Sequence, residues 1–222
     1  LTLTGAELHG GTVTLTAQSA NHRTGPSANA SSSATLTMLD SAIAATGDVT
    51  LLADSTADGA ATGTSAQAKV RSISVTHVGG TSSIATPGRV HIEARNLASG
   101  AADAVADLGP GLAGVDLVRL THAVLDGVQH ISATDLTLAA TSSGTLRANA
   151  SGHPGTTAAG SDLTDLALAA APNAGAAAVG RALLDTLAGL APNAHLTLDG
   201  GALTLTSASQ LDSAVTAGDG VA

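Results

Sequence analysis

The sequence has no phenylalanine, tyrosine, tryptophan or cysteine in 222 residues, and Met38 is its one methionine. Aromatic rings are the largest apolar groups a core can use, so the interior has to be filled by Leu, Ile, Val and Ala alone. That filling suits a thin core, and a narrow solenoid stacking small and branched side chains rung on rung leaves no wide centre for a ring. Without cysteine there are no disulfides and no thiolate metal ligands, and redox chemistry gives no information about the compartment. Charge is scarce as well: 11% of the residues are charged, against roughly a quarter in ordinary soluble domains. The 8 basic and 17 acidic residues give a formal net charge of −9, and Lys69 is the single lysine. Phosphate neutralisation needs clustered Lys and Arg, so nucleic acid is not an expected partner, and an anionic membrane surface is disfavoured for the same reason. No apolar run reaches the roughly 18 residues a spanning helix needs, so membrane insertion is not expected. The opening Leu1-Thr2-Leu3-Thr4 reads as the middle of a strand, which makes a single segment cut from a larger chain the expectation for residues 1–222.

What the sequence does contain is a repeat. An apolar residue, a short turn of Gly and polar residues, and then apolar-x-apolar-x-small recur five times. The first copy is Leu8, then Gly11-Thr12-Val13-Thr14-Leu15-Thr16-Ala17, and the second is Ile43, then Gly47-Asp48-Val49-Thr50-Leu51-Leu52-Ala53. Ile84 precedes Gly88-Arg89-Val90-His91-Ile92-Glu93-Ala94, and Ile131 precedes Thr134-Asp135-Leu136-Thr137-Leu138-Ala139-Ala140. Leu198, then Gly201-Ala202-Leu203-Thr204-Leu205-Thr206-Ser207, completes the set. The apolar period of 2 marks strands with one buried face, so Val13, Leu15 and Ala17 point inward and Thr12, Thr14 and Thr16 outward. Glycine before the strand fits a tight turn between solenoid faces. Successive copies lie 36, 41, 46 and 67 residues apart, counted from Val13 through Val49, Val90 and Leu136 to Leu203.

The intervening segments, 18–34, 54–68, 96–114 and 141–192, are rich in Ala, Ser, Thr, Gly and Asn. The first two are read as low-complexity strands that complete each coil, since 54–62 has the small-polar alternation of a strand with a shallow buried face. The last is read differently. Asp162-Leu163-Thr164-Asp165 has the form of a capped helix start, Pro172 stops that helix, and Val179, Leu183, Leu187 and Leu190 recur at helical spacing. A helical hairpin is therefore expected over 161–192, as a lid on one face or edge of the solenoid.

These residues resemble the Ala/Thr/Ser-rich repeat regions of very large bacterial surface and secreted proteins, in the style of filamentous haemagglutinin-like adhesins. The closest stretch is 34–68, with its SAIAATGDVTLLADSTADGAATGTSA. The resemblance implies a β-helix that displays or spaces adhesive modules outside the cell or on the bacterial surface.

Each catalytic chemistry has requirements that can be looked for. The chain has no Gly-x-Ser-x-Gly elbow and no phosphate-cradling Gly-x4-Gly-Lys-Ser/Thr loop, and Lys69 sits in Ala-Lys-Val. His9, His22, His77, His91, His122, His130, His153 and His195 include no His-x3-His pair; they read as scattered turn and surface residues, with His91 and His130 nearest to strands. Asp48 and Asp135 share one position of the repeat, where a glycosidase would need carboxylates about 5 to 9 Å apart, but the copy between them carries Arg89. A solvated charge row is the reading adopted. The pairs Gly10-Gly11, Gly79-Gly80 and Gly200-Gly201 lack the Gly-x-Asp of a calcium roll, which leaves Asp40, Asp54, Asp58 and Asp199 as the carboxylates to follow. Thr-x-Thr occurs at Thr2, at Thr12 to Thr16, at Thr35 and at Thr204, but Arg89, His91 and Glu93 interrupt the flat array that ice binding would need. The sequons at Asn29 and Asn149 are short strings that arise by chance.

The sequence therefore reads as an all-β parallel β-solenoid with irregular insertions and one helical hairpin, and with no catalytic, cofactor or metal residue assigned. The expected role is structural, in an extracellular bacterial fibre, wall or adhesin stalk that meets neighbouring copies or flanking repeats end to end. The alternative is an adhesive module that binds a glycan or a cell-surface receptor through its insertions.

Overall fold

The computed structural model describes residues 1–153, 175–192, 194–199 and 201–219. Within them every regular element is a strand, and the strands wind through five rungs. Rung 1 is β1 (Thr2–Thr4), β2 (Glu7–Gly10) and β3 (Val13–Gly25); rung 2 is β4 (Ser27–Leu39), β5 (Ala42–Ala45) and β6 (Val49–Gly63). Rung 3 is β7 (Ser65–Gly79), β8 (Ser83–Ala85) and β9 (Arg89–Val105). Rung 4 is β10 (Gly111–Leu125), β11 (Val128–Ser132) and the collinear β12 (Asp135–Ser143) and β13 (Thr145–Gly152). Rung 5 is β14 (Ala176–Leu190), β15 (His195–Asp199), β16 (Ala202–Ser209) and β17 (Asp212–Asp219).

Like strands stack in parallel into three walls. Wall A is β1-β4-β7-β10-β14 and wall B is β2-β5-β8-β11-β15. Wall C runs from β3 through β6 and β9 to β12 with β13, and then to β16 with β17. Walls A and C are long and face each other, and wall B is a narrow end piece. The repeat read from the sequence is the wall B strand followed by the start of wall C, and all five copies align without a slip. Leu8, Ile43, Ile84, Ile131 and Leu198 form one row, and Val13, Val49, Val90, Leu136 and Leu203 form the next. Because the side-chain period is 2, a slip of one residue would turn a whole strand inside out, so this agreement fixes the inward face of every rung.

The corner from wall A to wall B repeats as well. Gly5, Asp40, Gly80 and Gly127 all have positive φ, between 48° and 86°, the left-handed region that glycine enters without cost and that aspartate tolerates. Asp40 also accepts hydrogen bonds on Oδ1 from the Thr81 amide, at 2.8 Å, and from the Thr81 hydroxyl, at 3.2 Å, which ties its corner to the rung above.

The low-complexity segments 18–34 and 54–68 are strands, as expected: they are the remainder of wall C and the strand of wall A. The helical hairpin is not seen. Residues 176–190 form β14, paired in parallel with β10 along its full length, and the expected helix start over 161–174 lies outside the described residues. The spacing that suggested a helix, Val179, Leu183 and Leu187, is a step of four, which is also a multiple of the strand period of 2. All three lie on the same face of β14 and Leu190 lies on the other, while continuous pairing with β10 overrides the helical preference of the alanines.

Two apolar clusters fill the space between walls A and C. Near wall B the side chains are large: Leu36, Met38, Ile43, Leu51, Val78, Ile84, Ile92, Leu125, Ile131 and Leu138 are all buried. Towards the opposite edge they are small, with Ala28, Ala30, Ala57, Ala61, Ala66, Ala68, Ala98, Ala102 and Ala113 among them. Here the walls fit by close approach. A Cβ on Gly59 would stand 2.9 Å from Val70 Cγ2, and one on Gly100 would stand 2.6 Å from Val115 Cγ1. Each glycine is the hollow that a valine of the facing wall occupies.

Candidate functional site

Between the two clusters runs a row of inward-facing polar side chains along the solenoid axis, buried in rungs 2 to 4. On wall C, register places Ser19, Ser55, Asn96, Ser142 and Ser209 in one column, and on wall A it places Ser32, Ser72 and Arg119 in another. The hydroxyls satisfy one another across the gap. Ser32 donates to Ser19 at 2.9 Å, Ser55 donates to Ser32 at 3.0 Å, and Ser55 and Ser72 share a bond of 2.9 Å. Asn96 Nδ2 bonds the carbonyls of Ser72 and Leu120. Higher up, Ser142 bonds Thr186 and Ser209.

Arg119 is the largest fully buried side chain and the one fully buried cation among the described residues. Its Nη2 donates to Ser209 Oγ and to the Gln210 carbonyl, both at 3.0 Å, while Nε and Nη1 have no protein partner. Burial pushes the guanidinium below its usual pKa. Room for it comes from Gly144, whose missing side chain would otherwise meet the Ala98 carbonyl and Arg119 Nη1.

On the outer surface of wall C, Glu93 holds an ion cluster. Arg95 donates to it through Nε at 2.6 Å and through Nη2 at 2.7 Å, and His91 Nε2 lies 2.8 Å from Oε2. Burial pushes the carboxyl up, but the hydrogen bonds and charges of Arg95 and His91 outweigh it and hold Glu93 below the ordinary glutamate value. A groove of about 370 Å³ passes this cluster, lined by residues of rungs 2 to 5 that include Asp54, Arg95, Thr141 and Gln210.

The residues followed from the sequence do not converge. Asp40 holds a corner, Asp54 lines the groove, Asp58 pairs with His22 at 2.9 Å and Asp199 closes β15. Arg89 stands between Asp48 and Asp135, as expected: its amide donates to Asp48 Oδ1 at 2.8 Å, and its Nε is 3.7 Å from Asp135 Oδ2. His77 and His122 each approach one carboxylate, Asp126 at 3.9 Å and Asp185 at 3.1 Å, and His130 is on wall B. Among the described residues no group of three or more His, Asp or Glu could hold a metal ion. One outward row is Thr14, Thr50, His91, Thr137 and Thr204, so the threonine array is interrupted at rung 3.

The two ends of the solenoid present a different kind of site. At the far end Leu184, Leu190, Leu203, Leu205 and Val215 are 36%, 42%, 39%, 48% and 49% exposed. Their counterparts one rung below include Leu125, Leu136, Leu138 and Ala148, all at 0%. The residues point inward, and none of the described residues lies above them. Among the described residues no strand pairs with the far edges of β14, β15, β16 or β17.

The inner polar row was not anticipated, although its signal is in the sequence. Two residues beyond each small residue of the repeat stands Ser19, Ser55, Asn96, Ser142 or Ser209. Arg119 has no such signal, because its column on wall A runs Ser32, Ser72, Arg119 and Leu184. No family model, curated protein or solved structure matches the chain.

Proposed function

We propose that the chain is a structural segment of a longer β-solenoid, a piece of an extracellular bacterial fibre, wall or adhesin stalk, with no catalytic role. The observation that carries this reading is the rung 5 face, where among the described residues a row of inward-pointing leucines and four strand edges are left as a template for another rung. A solenoid buries its core only by stacking neighbours, so such a face is complete when a flanking repeat or a neighbouring copy covers it. The polar outer wall C and the scarcity of charge fit a surface of hydroxyls and amides. The bacterial surface location rests on the resemblance of 34–68 to adhesin repeats. Light scattering over a rising concentration series tests the reading: the chain associates, and Leu203→Lys with Leu205→Lys prevents it. A wild-type chain that stays strictly monomeric at high concentration would overturn it.

A further inference from the structure

We infer that Arg119 holds a small monovalent anion, of the size of chloride, in the interior at the level where wall C is broken. The inference does not rest on the rung 5 face and gives a ligand to a chain read so far as structural.

Arg119 is 1% exposed, and its Nε and Nη1 have no hydrogen-bond partner among the described residues. Buried donors are seldom left without an acceptor. Burial is the one cause of its lowered pKa, so no carboxylate among the described residues compensates the charge. The Ser209 hydroxyl and the Gln210 carbonyl satisfy Nη2 but carry no net charge. An uncompensated cation in a low-dielectric interior is strongly destabilising. A buried lysine escapes by losing its proton, but a guanidinium does not. The remaining way to neutralise Arg119 is an anion taken from solution, since a water molecule would meet the donors and leave the charge.

The main chain around Arg119 differs from that of the rungs below. The same wall A column holds Ser32 in rung 2 and Ser72 in rung 3, and there the wall C strands β6 and β9 pass this level unbroken. At Arg119 wall C is interrupted twice, at Gly144 between β12 and β13 and at Gln210 and Leu211 between β16 and β17. Both interruptions meet the guanidinium: Gln210 gives its carbonyl to Nη2, and a Cβ on Gly144 would stand 3.1 Å from Nη1. The groove on the outer face of wall C runs over this break. Ser209 and Gln210, which bond Arg119, both line it, so the groove is a route from solvent to the buried head. Crowding at the break restricts what can use that route. Even a Cβ on Gly144 would collide with the Ala98 carbonyl oxygen, so a compact ion is admitted and a sulfate or a sugar carboxylate is not.

Denaturant midpoints of the full chain, measured in chloride and in gluconate at equal ionic strength, test the inference. Chloride raises the wild-type midpoint, and above saturation the folded-to-unfolded ratio grows about tenfold for each tenfold rise in chloride. Arg119→Met abolishes the difference between the two salts, while Arg95→Met, in the ion cluster on the outer face, keeps it. Wild-type crystals soaked in bromide give an anomalous peak within hydrogen-bonding distance of Nε or Nη1, a readout that does not require the variant to fold. Equal wild-type midpoints in the two salts, or no bromide at Arg119, would overturn the inference and leave water as the partner. A chloride response that survives Arg119→Met, or that is lost in Arg95→Met, would overturn it by placing the anion elsewhere.

Discussion

The two halves of the core reach the same burial by opposite means. Near wall B the space between the long walls is filled by volume, with Leu, Ile and Met side chains reaching to the middle. At the other edge it is closed by approach, with alanine and glycine letting the walls meet and valines seated on glycines. A core without aromatic rings can be made either way, but the two halves should fail differently. The first is vulnerable to loss of atoms and the second to their addition.

The largest expected effect tests the inward assignment that both halves share. Val49→Asp puts a carboxylate among Leu51, Val90 and Ile43, with no partner in reach, and should cost more than about 4 kcal/mol. Thr50→Asp, one residue along on the outer face, should stay within about 0.5 kcal/mol. Denaturant midpoints that fall equally would break the register on which the comparison stands.

Next in size is the contrast between the halves. Ile92→Ala should cost about 3 kcal/mol, as removal of a buried branched chain leaves a cavity, whereas Ala57→Leu should cost about 2 kcal/mol by overpacking. Ala57→Gly should cost only about 1 kcal/mol, chiefly through backbone entropy in a strand. If Ala57→Leu is tolerated, the small-residue half is looser than its glycine contacts imply.

The boundary between the halves should respond less, even to loss of a charge. Arg119→Met removes a buried cation whose Nε and Nη1 are unpartnered, so it should change stability by less than about 1 kcal/mol, since an apolar replacement of similar volume relieves desolvation. A loss comparable with that for Ile92→Ala would show that the bonds to Ser209 and Gln210 hold rung 5 in place.

The smallest effect is on the outside. Glu93 is held below its ordinary pKa of 4.5 in the folded chain, so its contribution to stability is present above the unfolded value and is lost as pH falls through the folded one. The stability difference between the wild type and Glu93→Gln should therefore shrink on acidification below about pH 4.5. A difference that stays constant with pH would remove the ion cluster from the account.

Sequence and structure agree where two signals reinforce each other. The rows through Leu8 and Val13 were legible because a corner and a period-2 strand recur together, and large apolar residues mark the inward face. Wall A was harder to read: in β7 the inward Ser72, Ser74 and Thr76 alternate with the outward Ile73 and Val75, so volume does not distinguish in from out there. β14 was read as a helix because steps of four satisfy both periods. Asn96 and Arg119 were missed for a different reason, since a buried amide or guanidinium looks like a surface residue until the facing wall is known. The end faces depend on which strands have neighbours, and a single sequence does not state that.

The pairing direction has a mechanical consequence. Every hydrogen bond between rungs lies along the solenoid axis, because all wall strands stack in parallel and in register. A pull along that axis would peel one rung from the next, loading a few bonds at a time. A pull along the strands would shear the pairing of β10 with β14, which runs from Gly111 to Leu125, all at once. A stalk made this way would resist sideways drag across its long walls better than stretching from its tip.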